Sequence, residues 1–212
     1  MTVSPPVSDG AERVMSFMRG LTFPGGQQPV VEGRRVYLRY PGMNDYAQWA
    51  EVREQSRAFL KPWEPSWPED DLTKSGYRRR LRRYAYDSRM DLAYAFFILR
   101  REDNALLGGV TLSNVRRGVV QTCTLGYWAG VHHARRGYTY EAVAAIVPFI
   151  FDTLGLHRIE AACLPDNTPS RGLLRKAGFR EEGLALRYLQ IDGKWADHVL
   201  YGLVEDEPRP GG

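Results

Sequence analysis

Gly126-Tyr127-Trp128, followed by His133-Ala134-Arg135-Arg136-Gly137-Tyr138-Thr139-Tyr140-Glu141, is the stretch on which the fold turns. Thr124 to Trp128 reads as a short apolar strand leading into a loop that carries two arginines and a glycine. After Gly137 the apolar residues Ala142, Val143, Ile146, Val147, Ile150 and Phe151 recur at helical spacing. A glycine at a helix start lets backbone N–H groups come close to an anion, and the helix dipole adds positive potential there. Arg135 and Arg136 bring charge-assisted hydrogen bonds of the kind that hold a pyrophosphate. Two readings stand at this point: a diphosphate-bearing ligand, or an ordinary strand–loop–helix connection with solvated arginines.

Outward from this segment the pattern alternates. Arg35 to Tyr40 reads as a strand, and Asn44 or Asp45 can cap a helix to about Gln55. Leu60 to Pro68 holds three prolines and cannot be a regular element. A second helix is expected from about Asp71 to Ser88. Strands follow at Ala93 to Leu99, Leu106 to Leu112 and Thr122 to Trp128, joined by turns at Glu102-Asp103-Asn104 and Arg116-Arg117-Gly118. Beyond the long helix come a strand, Arg158 to Cys163, and a helix, Pro169 to Ala177, stopped by Gly178. Two last strands, about Leu184 to Gln190 and Trp195 to Leu203, pair across Ile191-Asp192-Gly193-Lys194. The order β-α-α-β-β-β-α-β-α-β-β places the chain in the α/β (α+β) class, with a mixed sheet and helices on both faces. Residues 1–31 read as an N-terminal extension with one short helix (Ala11 to Met18), 32–205 as a single domain, and 206–212 as a frayed tail.

At 212 residues the chain can bury a real core, and 43% hydrophobic with 25% charged residues is ordinary for a globular domain. No apolar run reaches membrane-span length, and the N-terminus lacks the pattern of a secretory signal, so a cytoplasmic location is expected. Cys123 and Cys163 fall in strands and read as core residues. No cluster has metal-ligand spacing. The net charge of +4 permits contact with nucleic acid without requiring it. The densest basic run, Arg78 to Arg83 between Tyr77 and Tyr84, reads either as an RNA contact or as a solvated helix face.

The segment after Cys163 carries Asp166-Asn167-Thr168-Pro169-Ser170, then Leu173 through Gly178-Phe179. Asn167 stands where a strand ends and a helix begins, able to cap the helix or to meet a ligand amide. Together with Val36-Tyr37-Leu38-Arg39, Phe59 to Glu64, Leu125 to Trp128, Arg135 to Tyr138 with Glu141-Ala142, Leu156 to Glu160, and Asp192-Gly193-Lys194-Trp195 with Asp197-His198, these pieces resemble the GNAT superfamily of N-acetyltransferases. The similarity is to its RimJ/RimL branch of ribosomal-protein N-terminal acetyltransferases and spans roughly Arg34 to Leu203.

The resemblance implies a mixed central sheet of about seven strands, flanked by helices, with a V-shaped splay between the fourth and fifth. It implies acetyl-CoA as cosubstrate, bound by Tyr127, Trp128, Arg135, Arg136, Gly137, Tyr138, Thr139, Asn167 and Ser170. It implies a protein N-terminus as acceptor, a ribosomal protein by analogy with that branch, and a monomer or homodimer as assembly. The family loop pattern Q/R-x-x-G-x-G/A is broken at Ala134 and Thr139. Of the branch's catalytic carboxylates and acids, only Ser170 finds a match, as the acid. The glutamate and tyrosine of a related branch fall at Ala162 and Leu174. Glu160, on the same strand face as Ala162, is a substitute base or a salt-bridge partner of Arg158. Trp63 and Trp67 would border the acceptor, where Glu64, Glu69, Asp70 and Asp71 favour a cation. His132, His133 and His198 read as charge or structural residues. A small-molecule amine acetyltransferase and a silent acyl-CoA- or ribosome-binding module are the competing readings.

Overall fold

The computed structural model describes residues 30–209, and all counts below refer to those residues. Eight strands form one sheet: β1 (Val31–Glu32), β2 (Val36–Arg39), β3 (Tyr94–Arg100), β4 (Leu106–Arg116), β5 (Thr122–Ala129), β6 (Arg158–Cys163), β7 (Arg180–Ile191) and β8 (Lys194–Val204). Their spatial order is β1-β2-β3-β4-β5-β6-β8-β7. Five helices cover them: α1 (Tyr46–Gln55), α2 (Arg57–Leu60), α3 (Lys74–Arg89), α4 (Tyr138–Pro148) and α5 (Thr168–Lys176). The expected helix Ala11 to Met18 lies outside the described residues.

The continuous apolar run of β3 is explained by cover on both faces. Phe96 and Ile98 join a large core with Ala142, Val143, Ile146 and Val147 of α4 and Leu174 of α5. Phe97 and Leu99 join a second core with Trp49 of α1 and Tyr77 of α3. The helical spacing that reached Ile150 and Phe151 continues past α4 as one π turn, Phe149–Thr153. Pro148 offers no N–H to the ladder, so the helix widens there instead of running on.

The feature that makes a site is where pairing stops. β5 and β6 are the parallel neighbours, and they pair only from Thr122 to Thr124 against Arg158 to Glu160. Beyond that, β5 stays paired to β4 as far as Ala129, and β6 to β8 as far as Cys163. The sheet therefore splits into two arms, β1–β5 and β6–β8, as expected between the fourth and fifth of the anticipated strands. Those strands numbered seven. The eighth, β1, has only two residues and no period to read, yet Val31 is 6% exposed and pairs with Leu38. The sheet thus begins inside the stretch expected to be an extension.

The chain's end also departs from expectation. Residues 206–209 are tied down: Glu207 pairs with Arg180, and Arg209 reaches Asp152 at 2.7 Å. The Asp192-Gly193 turn has φ of 44° and 77°, the two left-handed residues of a tight hairpin.

Candidate active site

The arginine–glycine loop lies at the N-terminus of α4. Gly137 is its N-cap with φ 81°, and no side chain caps the first turn, so the leading N–H groups face outward for an anion. A Cβ on Gly137 would stand 3.3 Å from Arg35 Nη2. Arg135, with φ 60°, and Arg136 are exposed on the same loop. The loop is fixed by Glu141 one turn inside the helix. Its carboxylate accepts from the backbone N–H groups of Arg35 and Val36 and from Arg35 Nε at 2.8 Å. Arg35 in turn stacks on Tyr138, 4.7 Å from the ring centre. Neither the role of Glu141 nor that of Arg35 was apparent beforehand; the only sequence signal was Glu141 following the loop at one-turn spacing.

A cavity of about 340 Å³ adjoins this loop, lined by Arg34, Arg35, Arg100, Arg101, Glu102 and Tyr138. The positive field there is felt by His133. Burial depresses its pKa first, and Arg100, Arg136 and His132 push the same way. Its Nδ1 is buried with no hydrogen-bond partner among the described residues.

Inside the split, β5 presents two faces. Tyr127 packs toward α4 and α5, whereas Trp128 packs into the core under α1 and α3. The Tyr127 hydroxyl lies 2.8 Å from Ser170 Oγ. Burial pushes that phenol far up, so it stays protonated through the physiological range, although the Ser170 hydrogen bond opposes the shift. Ser170 sits in the first turn of α5, and the Asn167 side-chain oxygen accepts from its N–H at 3.1 Å. Asn167 is thus the helix cap, through its side-chain oxygen. Cys163 ends β6 beside them, its thiol raised by burial with Ser170 working against that. Cys123 is pushed up to about 12 by burial, so neither thiol is poised as a nucleophile.

Glu160 is placed apart from this group. Along β6, Ile159, Ala161 and Cys163 face the α4/α5 core, which turns Glu160 to the opposite side. It sits at the closed end of the split, 3.2 Å from Arg116 and 3.4 Å from Arg158. The Arg116 pair spans from β4 to β6 and clamps the closed end, and Glu160 and Ser170 are not brought together. His198 is 3% exposed, bonded through Nδ1 to the Ala196 carbonyl at 2.9 Å and set edge-on to Tyr188.

On the acceptor side the structure revises the charge expected there. Glu64 is held by a bidentate Arg53 at 2.9 and 2.7 Å, and it also accepts from Trp67 Nε1 at 2.8 Å. Asp70 pairs with Arg79 and Asp71 with Arg80. Three of the four carboxylates expected to attract a cation are therefore neutralised. The same pairs consume two arginines of the basic run on α3, which weakens its reading as an RNA contact. Trp63 is half-buried in a short turn, Lys61–Trp63, and Trp67 stacks on Arg53. Among the described residues no cluster could hold a metal, and no helix is long and apolar enough to cross a membrane.

The geometry fits a coenzyme A thioester. The uncapped α4 N-terminus and its arginines suit a diphosphate, the open edge of β5 offers peptide groups to an extended amide-bearing arm, and Ser170 meets Tyr127 of that strand. Comparison with known proteins agrees. A family model described as Acetyltransferase (GNAT) domain matches residues 35–180. The [ribosomal protein uS5]-alanine N-acetyltransferase of Escherichia coli is 35% identical over 177 residues, covering 84% of this chain and 91% of that protein. The probable N-acetyltransferase YjcK of Bacillus subtilis is 32% identical over 84% of this chain and 98% of its own length. The structure of Mycobacterium smegmatis RimJ in complex with CoA-disulfide superposes with a TM-score of 0.79 at 33% identity, covering 83% of this chain and 87% of that one. With the split sheet, the uncapped helix and this match across most of its length, the chain belongs to the GNAT family and is an acetyl-CoA-dependent N-acetyltransferase.

Proposed function

We propose that the acceptor is the N-terminal α-amine of a protein, of the ribosomal-protein-alanine type, in the cytoplasm. The observation that carries this is the 35% identity, over most of both chains, to an enzyme named for the alanine of ribosomal protein uS5. Direct transfer in a ternary complex is supported by the two buried thiols, which are held protonated and leave no covalent route through cysteine.

The cosubstrate supplies the activated acetyl group. Arg135, Arg136, Gly137, Tyr138 and Thr139 would hold its diphosphate, and the arginine-lined cavity beside Tyr138 would take the phosphate at its nucleoside end. Tyr127 and Trp128 would present their backbone groups to the amide arm, and the side-chain NH₂ of Asn167 would donate to it. Ser170 would donate a proton to the departing sulfur and recover one, through solvent, from the attacking amine, with the Tyr127 hydroxyl holding the serine rotamer. Glu160, tied to two arginines on the other face, is assigned to holding the split closed at its base rather than to proton abstraction.

The test is a steady-state comparison of acceptors with acetyl-CoA: short peptides beginning Ala or Ser against polyamines and aminoglycosides. A kcat/KM at least about tenfold higher for the peptides, over 1.4 kcal/mol of preference, supports the reading. A preference for the small amines, or no turnover with any amine, overturns it.

A further inference from the structure

The aromatic loop between α2 and α3 is attached to both arms of the split, and one buried arginine makes the attachment. Arg53, in the last turn of α1, has a side chain only 9% exposed. Its guanidinium lies 4.0 Å from the centre of the Trp67 ring and 4.9 Å from that of Trp128, while its fork grips Glu64. Trp128 belongs to β5, on the first arm. The backbone carbonyl of Glu64 accepts from the N–H of Asp192 at 3.0 Å, and Lys61 lies 3.7 Å from the Asp192 carboxylate. Asp192 is the tip of the β7–β8 hairpin, on the second arm. A cavity of about 240 Å³ lies at this junction, bordered by Lys61, Pro65, Ser66, Trp67 and Asp192.

α1 already has an apolar anchor in the core, Trp49, so packing alone does not call for a buried arginine at Arg53. Burying a guanidinium is costly unless it is fully paired, and here its Nε is left without a partner. A side chain that costs this much and carries little of the core is explained by what it holds. The same helix end also touches the turn that precedes the arginine–glycine loop, because Ser56 Oγ accepts from Val131 N at 2.9 Å.

We propose that Arg53 is a positioning residue for the acceptor. By pinning Glu64 and Trp67 it holds residues 61–67 as a strap from one arm of the split to the other, and a peptide acceptor lies along that strap with its terminal amine in the split. The inference rests on the protein-acceptor reading above. Arginine suits the task because it meets a carboxylate bidentately and stacks between two indoles, which lysine cannot do. Pairing with Glu64 also cancels a positive charge that would otherwise repel the incoming ammonium.

The test compares kcat/KM for an alanine-led hexapeptide with that for alaninamide. In the wild type the longer acceptor is preferred. In Arg53→Ala that ratio falls by about tenfold or more through KM for the peptide, while KM for acetyl-CoA moves less than about twofold, a split that a general loosening of the fold would not produce. Arg53→Lys does not restore the ratio. Trp67→Ala, on the loop itself, lowers it in the same sense and carries the test if the Arg53 variant does not fold. The double variant is no worse than the worse single one, as expected of groups acting as one unit. Equal effects on both KM values, or an unchanged ratio in a folded variant, overturn the proposal. A wild type that acetylates peptides without any preference for length overturns it while leaving the protein-acceptor reading intact, and failure to acetylate peptides at all overturns both.

Discussion

Replacing Glu141 with alanine should loosen the cofactor loop and lower stability together. Its carboxylate, 16% exposed, is the acceptor for the backbone N–H groups of Arg35 and Val36 and for the Arg35 guanidinium. Truncation leaves two backbone donors, one on half-buried Arg35 and one on buried Val36, and one cation without their acceptor. At the low end of about 1–3 kcal/mol for each stranded backbone donor, with little added for the partly solvated Arg35 guanidinium, the loss is about 2–3 kcal/mol. For a domain of this size that is a fall in Tm of about 5–10 °C. KM for acetyl-CoA should rise several-fold, because the first turn of α4 is no longer tied to β2. Acidity provides a control. Burial raises the pKa of Glu141, but the hydrogen bonds and charge of Arg35 and the Val36 N–H outweigh it, leaving the folded value below the usual 4.5. A carboxylate shifted that way contributes its stability above the unfolded pKa and loses it as pH falls through the folded one. The stability gap between wild type and Glu141→Gln should therefore be constant from neutrality to about pH 5 and close below 4.5. Differential scanning calorimetry across that range reads both quantities. A Tm for Glu141→Ala within about 1 °C of wild type, or a gap undiminished in acid, refutes the reasoning.

Other outcomes follow from the same geometry. Gly137→Ala forces a Cβ into a left-handed residue 3.3 Å from Arg35, so it should cost about 1 kcal/mol and raise KM for acetyl-CoA with little change in kcat at saturation, as read by calorimetry and kinetics. Ser170→Ala should lower kcat by about 10²-fold with KM values little changed, and Tyr127→Phe should lower it less, since the serine hydroxyl survives. Because the Tyr127 phenol is raised far from neutrality, its removal should leave the pH–rate profile without a shifted limb below pH 9 or so. Arg34→Ala combined with Arg101→Ala should raise KM for acetyl-CoA but not for 3′-dephospho-acetyl-CoA; equal effects on the two would remove the arginine-lined cavity from the binding site.

Much of the architecture was open to reading because its signals are local. The α4 stripe, the Asp192-Gly193 turn and the stop at Gly178 are each set by residues within a turn of one another, and each is found where the pattern places it. Elements without period were not legible: β1 has two residues, and the π turn at Phe149–Thr153 looks helical until the missing N–H of Pro148 is considered. The site divides in the same way. The loop from Ala134 to Thr139 could be recognised, since a helix N-terminus with glycine and arginine has a sequence form. What the charges do could not, because Glu141 meets Arg35 across 106 residues and Arg116 meets Glu160 across 44. The acidic residues near Trp67 illustrate the cost. Counted along the chain, Glu64, Asp70 and Asp71 suggest a negative surface, but in space each faces an arginine. Glu160 is the clearest case, a plausible base by strand parity whose partners, Arg116 and Arg158, occupy its carboxylate.

The central claim, acetyl transfer from acetyl-CoA to a protein α-amine through the open split, is tested most directly by locating the acetyl group on a product. An alanine-led peptide carrying one internal lysine, incubated with the protein and acetyl-CoA and sequenced by tandem mass spectrometry, should gain a single acetyl on its terminal nitrogen. Its twin with a blocked N-terminus should gain none. An acetyl group on the lysine, or on the blocked twin, would contradict the account.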